Sequence, residues 1–263
     1  MELDEAYANG AYIAKAESYP GMWQEAAENF AFVQGAADRF RPGLPYGSSG
    51  RARFDLVLPE GTPRGLMMFV HGGYWLKFDR SYWTHLAAGA QARGWAVALP
   101  SYDLCPEVRI ARITEQISQV VQVCAAMIDG PIVLSGHSAG GHLVARMLEP
   151  GRLGADVENR LQKVVPISPL ADLRPLLKTS MAAQLRLDEA EAVAESPVLM
   201  RDRLDVPVTV WVGGDERPAF LDQARWLAEA WGCEHIVAEG RHHFDVIEPL
   251  EIADSDLVEA LVG

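Results

Sequence analysis

The strongest constraint on this chain is a rhythm. Short apolar runs of strand length recur along it: "RFDLVLP" (53–59), "GLMMFVH" (65–71), "WAVALP" (95–100), "PIVLSG" (131–136), "KVVPIS" (163–168), "PVTVWVGG" (207–214) and "CEHIVAE" (233–239). After the first, helical stretches fall between them, expected at 80–93, 107–128, 139–149, 172–203 and 218–231, with one more at the C-terminus. "RFDLVLP" alternates like a half-buried strand, whereas "GLMMFVH" is apolar throughout, as a central strand covered on both faces must be. Strands separated by helices of ten or more residues cannot close as hairpins, so they predict a mostly parallel sheet with helices on both faces. The fold class is α/β.

Residues 1–40 are rich in Ala and Glu and predict helix, with Tyr12, Tyr19, Trp23, Phe30 and Phe32 among the apolar positions. "RPGLPYGSSG" (41–50) breaks that pattern with Pro, Gly and Ser. The expected organisation is one domain over 1–263, with a helical extension at 1–45 leading into a core at 46–263.

Composition excludes several partners. A net charge of −13 disfavours nucleic acid, because phosphate binding needs clustered Lys and Arg. Cys105, Cys124 and Cys233 are odd in number and widely spaced, as expected for reduced thiols of a cytosolic protein. "MELDEAYANG" lacks the charge and apolar core of a signal peptide. No apolar stretch approaches the roughly 18 residues of a membrane span. The expectation is a cytoplasmic protein without membrane or nucleic-acid contacts.

Chemistry concentrates at four junctions. "GHSAG" (136–140) places Ser138 between a strand and a helix. The G-x-S-x-G pattern alone is weak: with 23 glycines, a shuffled chain would contain it about once in ten tries. Its position is what matters, since a nucleophile elbow needs a strand, a strained turn and a helix N-terminus aimed at developing negative charge. Neither G-x-G-x-x-G nor G-x-x-x-x-G-K-[ST] is present to support a nucleotide-binding turn instead. "HGGYW" (71–75) ends an earlier strand with paired glycines, whose amides can face a substrate oxygen without Cβ interference. "GGDERPAF" (213–220) offers Asp215 and Glu216, and "RHHFD" (241–245) offers His242 and His243. The chain order Ser, acid, His is that of α/β-hydrolases.

"HGGYW", "GHSAGGHL" and the late "HHFDVIEPL" together resemble the kynurenine formamidase (arylformamidase) branch of the α/β-hydrolases, close to hormone-sensitive-lipase-like esterases. The resemblance runs from about residue 50 onward. It implies an α/β-hydrolase fold, Ser138 as nucleophile and His243 as base. It also implies an oxyanion hole from the N–H groups of Gly72, Gly73 and Ala139, with Tyr74 a further candidate. "ERPAF" matches the family's "DSPEF", which aligns Glu216 as the triad acid, although most relatives carry Asp there; Asp215 stays as the alternative. Tyr74 and Trp75, directly after the glycines, are candidate pocket residues, ahead of Tyr82 and Trp83.

The remaining histidines have plainer roles. His71 is expected to brace the glycine loop, His137 and His142 to pack around the elbow, and His85 and His235 to be ordinary helix and strand residues. No H-x-x-x-H with a carboxylate suggests a metal, and no cofactor is expected. The implied reaction is hydrolysis of a small acyl ester or an N-formyl aryl-amide such as N-formylkynurenine. The rivals are a short-chain carboxylesterase or thioesterase, and a hydrolase-fold protein that only binds its ligand. A homodimer is compatible with the sequence, which does not decide the oligomeric state.

Overall fold

The computed structural model describes residues 1–263. Its eight strands are β1 (Phe40–Pro45), β2 (Arg53–Val57), β3 (Leu66–Val70), β4 (Ala96–Pro100), β5 (Ile132–His137), β6 (Leu161–Ile167), β7 (Thr209–Gly213) and β8 (Glu234–Ala238). They form one sheet in the order β1-β2-β4-β3-β5-β6-β7-β8. The pairs β1–β2 and β2–β4 are antiparallel, and every other pair is parallel. The strand rhythm anticipated this mostly parallel sheet, and the family resemblance implied the α/β-hydrolase fold that it forms.

Nine helices accompany the sheet: α1 (Tyr19–Ala36), α2 (Ala88–Ala92), α3 (Ile110–Met127), α4 (Ala139–Arg146), α5 (Ala155–Glu158), α6 (Met181–Leu185), α7 (Glu189–Ala194), α8 (Pro218–Trp231) and α9 (Asp256–Val262). The period-2 alternation of strands assigns their side chains to two cores. In β3, Leu66, Met68 and Val70 face the core shared with α3, α4 and α8, through Ile113, Leu143 and Leu227. Met67 and Phe69 face the opposite core, closed by Trp23 of α1, Ala90 of α2 and Leu257 of α9. Both faces are covered, which is why β3 reads as unbroken apolar sequence. No helix is long and apolar enough to cross a membrane.

Four expectations need correction. The break at 41–50 begins with a strand: β1 pairs with β2, with an irregular register between Arg41 and Leu44. Pro42 and Gly43 fall in that irregularity, on an edge strand where a missing N–H is tolerated. Residues 1–18 form turns rather than helix, so α1 begins only at Tyr19. The helical stretch expected at 172–203 is broken into α6, α7 and two 3-10 turns, Arg174–Lys178 and Pro197–Leu199. Pro175 and Pro197 open those turns, and Asp188 caps α7 by accepting the Glu191 N–H, so side chains rather than helix propensity set the boundaries here. The stretch 80–93 likewise divides into two 3-10 turns and α2.

The tightest packing in the sheet lies where α4 crosses the ends of β3 and β5. A Cβ added to Gly140 would stand 1.9 Å from the Val70 carbonyl oxygen. Neither group is a flexible side-chain end, so the backbone itself would have to move. We expect Gly140→Ala to cost about 3 kcal/mol or more in urea unfolding. Gly35→Ala, where an added Cβ meets nothing within 4 Å, should stay within about 1 kcal/mol of the parent. Equal midpoints for the two variants would contradict this account.

Candidate active site

The carboxyl ends of parallel strands are where an open α/β sheet places its ligands. Here β3, β5, β6, β7 and the loop after β8 bring their residues to one end. Ser138 follows β5 and precedes α4, with φ 56° and ψ −117°. That conformation is strained for a residue with a Cβ, and strain of this kind is held in place where surrounding packing over-determines it. The Ser138 N–H donates to the Ile167 carbonyl at 2.8 Å, which ties the turn to the end of β6. Ala139 is the first residue of α4, so its N–H has no acceptor within the helix.

The glycine loop after β3 leans against this turn. A Cβ on Gly72 would lie 2.9 Å from both the His137 carbonyl oxygen and Ser138 Cβ, so only glycine allows the approach. Backbone strain continues through Tyr74 (φ 54°), Trp75 (φ 57°) and Phe78 (φ 71°). With Ser138 and Ser168 (φ 47°), five of the chain's eight non-glycine residues with positive φ lie around this one site. Strain so concentrated points to function.

The loop has its own supports. His71 is fully buried, its Nδ1 2.8 Å from the Gly72 carbonyl oxygen, and its ring stacks on Tyr102 at 4.3 Å. Tyr102 donates its hydroxyl to the His71 carbonyl at 2.8 Å. Arg51 Nε donates to the Tyr102 carbonyl at 2.7 Å, and the same guanidinium donates to the Phe78 carbonyl. His71 braces the loop, as expected; Arg51 does too, with no sequence signal to announce it.

Beside this turn the His243 ring lies 4.5 Å from that of His137, the residue before Ser138, and His243 pairs with Glu216. His243 Nδ1 lies 2.6 Å from Glu216 Oε2, and the Glu216 side chain is wholly buried. Glu216 Oε1 accepts the Gly213 N–H at 3.0 Å and the Ser168 hydroxyl. Asp215 is exposed and makes no such contact with His243. Of the two candidate carboxylates, the structure brings Glu216 to the histidine. The adjacent His242 points elsewhere: its Nε2 lies 3.1 Å from the Tyr19 hydroxyl.

Ser138 and His243 both line a cavity of about 610 Å³. Gly72, Gly73 and Tyr74 contribute to its wall. Trp75, expected there, does not. It is fully buried and packs its ring edge-on against His142 at 5.1 Å, because the left-handed backbone at 74 and 75 turns the indole into the core. Tyr74 stays at the cavity and donates its hydroxyl to the Tyr7 carbonyl at 2.7 Å. Trp83 lines the cavity, whereas Tyr82 does not.

Sequence reasoning missed most of the remaining wall. Tyr7, Asn9, Glu17 and Trp23 come from the N-terminal lead, Phe78 from the glycine loop and Phe244 from the residue after His243. Trp23 packs against Trp83 at 4.8 Å and Phe244 at 5.4 Å. The aromatic residues at 7, 23 and 78 carried no period or motif that could have placed them, and "HHFDVIEPL" contains Phe244 without indicating that it lines a cavity. Three His, Cys, Asp or Glu side chains do not converge anywhere as a metal site.

A model of the alpha/beta hydrolase fold family matches residues 67–230. Kynurenine formamidase of Drosophila melanogaster is 28% identical over 237 residues, covering 81% of this chain and 78% of that protein. Kynurenine formamidase of Danio rerio is 27% identical over 224 residues, covering 79% and 75%. Among solved structures, a protein of Silicibacter sp. TM1040, provisionally named a thioesterase, superposes with a TM-score of 0.98. It is 61% identical over the whole of both chains. Esterase B of Lactobacillus rhamnosis, at 18% identity, a TM-score of 0.70 and coverage of 94% and 93%, shares the fold.

Burial fixes the charge state of several histidines around this framework. It holds His71 and His85 down to about 4 and His142 down to about 3, from an ordinary value of 6.5. The folded protein therefore refuses protons that the unfolded chain accepts. This stability is fully present above pH 6.5 and is lost as pH falls toward 4. Each group should contribute a loss of about 2 kcal/mol by pH 5. Urea midpoints at pH 7.5 and pH 5 test this, with His85→Gln expected to shrink the difference by about 2 kcal/mol. An identical difference in parent and variant would contradict it.

Proposed function

The chain belongs to the alpha/beta hydrolase fold family, and on that premise we propose that it is a serine hydrolase with a Ser138–His243–Glu216 triad. One observation carries this: His243, its Nδ1 2.6 Å from the buried Glu216 carboxylate, lines the same cavity as Ser138 in its strained turn. With Nδ1–H donated to Glu216, His243 keeps its Nε2 lone pair for a proton. His243 takes that proton from Ser138 as Oγ attacks a carbonyl carbon, and Glu216 stabilises the resulting imidazolium. The N–H groups of Gly72, Gly73 and Ala139 receive the oxyanion. His243 then protonates the leaving group. Water attacks the acyl-enzyme with His243 again as base, which restores Ser138.

For the substrate we propose an N-formyl aryl-amide, N-formylkynurenine first. The crowded glycine loop suits the smallest acyl group. Tyr74, Trp23, Phe78, Trp83 and Phe244 offer ring surfaces for an aromatic leaving group. Glu17 and Lys77, the two carboxylate- or ammonium-bearing residues of the lining, have opposite signs and suit a zwitterionic amino acid. The formamidase names of the relatives favour the same substrate. A second reading, a short-chain carboxylesterase or thioesterase on the same machinery, is favoured by the name of the Silicibacter protein.

Two experiments separate these readings. First, kcat/KM for N-formylkynurenine should exceed that for short aliphatic esters and thioesters, with Ser138→Ala as blank. That variant should lose activity by at least about a thousandfold while keeping its Tm. Turnover of p-nitrophenyl acetate without turnover of the formamide would leave only the second reading, and near-parental activity of Ser138→Ala would end both. Second, Glu216→Gln should lower kcat by about 10³- to 10⁴-fold, because an amide cannot stabilise the imidazolium. Asp215→Asn should stay within about twofold. The reverse order would move the acid to Asp215.

A further inference from the structure

We propose that Ser168 is a positioning residue for the hydrolytic centre, holding the Glu216 carboxylate so that Oε2 alone faces His243. The inference rests on the triad reading and adds a residue to it. Ser168 is the first residue after β6, wholly buried, and its N–H donates to the Trp211 carbonyl at 2.7 Å, which anchors it to β7. Its hydroxyl donates to Glu216 Oε1. The Gly213 N–H reaches the same oxygen at 3.0 Å, so Oε1 is held by two donors and Oε2 is left for His243 Nδ1.

The backbone shows how specific this placement is. Ser168 has φ 47°, a conformation that favours glycine. A serine kept there, buried and with its hydroxyl on a carboxylate, sustains backbone strain that glycine would relieve. The hydroxyl also draws negative charge toward Oε1, and without it more of that charge acts on the imidazole. Two consequences separate from each other. The carboxylate loses one of the contacts fixing its plane, which lowers kcat. The imidazolium gains attraction, which moves the acidic limb of the pH–rate profile to higher pH.

Ser168→Ala and Ser168→Gly test this as a pair. Both remove the hydroxyl, and only the glycine variant also relieves the backbone. Each should lower kcat about ten- to a hundredfold with KM unchanged, matching the loss of a hydrogen bond to a charged group. Each should also shift the acidic limb upward, and Ser168→Gly should unfold at a Tm no lower than the parent. Loss of activity in Ser168→Ala alone would show that backbone geometry matters and the hydroxyl does not, overturning the proposal. Two variants within twofold of the parent, beside an inactive Glu216→Gln, would overturn the role of Ser168 and leave the triad standing. A fully active Glu216→Gln would overturn both.

Discussion

The contact on which the rest depends is the approach of α4 to the ends of β3 and β5. At Gly140 the helix backbone comes so near the Val70 carbonyl that a methyl group has no place. That closeness forces the chain between β5 and α4 into a turn too sharp for ordinary backbone angles, and Ser138 occupies its apex at φ 56°. The strain is sustained by the buried sheet around it: β5 is buried along its whole length between β3 and β6. A rigid, doubly covered sheet can hold an unfavourable turn in one conformation, as a loop on a mobile surface cannot.

The same economy of space extends to the neighbouring strands. The glycine loop can lie against Ser138 only because Gly72 lacks a side chain, and its conformation is then fixed from behind by His71, Tyr102 and Arg51. His71, with no charge at neutral pH, braces without adding a positive field beside the serine. On the other side, β6 and β7 supply Ser168 and the Gly213 N–H to one oxygen of Glu216. The polar groups at the site are thus tied back to strand ends, directly or through buried side chains, which is how geometry can be held ready before substrate arrives.

Much of this was legible in the sequence, because the signals were local. The strands β3 to β8 announced themselves through apolar runs, and Gly140 and Gly72 through motifs whose glycines answer to close backbone contacts. Spacing and the resemblance of "ERPAF" to a family pattern favoured Glu216 with Asp215 kept as the alternative, and it is Glu216 that meets His243. What escaped was non-local or geometrically exceptional. β1 contains Pro42 and Gly43, the residues that mark a break everywhere except on an edge strand. Trp75 turns into the core because two consecutive left-handed residues defeat the usual rule for where a side chain points.

The N-terminal lead is the clearest non-local case. Nothing in "AYANG" or "ESYPGMW" indicates a cavity wall, yet Tyr7 and Trp23 are built into one. Tyr7 is held by Gln223 Nε2 at 2.9 Å and accepts the Tyr74 hydroxyl through its carbonyl, contacts separated by 216 and 67 positions in the chain. Trp23 meets Phe78, Trp83 and Phe244, and Tyr19 meets His242 beside His243. The sheet end therefore fixes the polar groups, while the lead closes an aromatic wall over them. These two parts draw on different stretches of sequence. Residues at 7, 17 and 23 can change the shape and charge of the cavity without touching the strand ends that orient Ser138, His243 and Glu216. A fold arranged in this way lets substrate preference vary while the polar framework stays fixed, which is why the fold and the candidate polar groups were readable from motifs and the substrate was not.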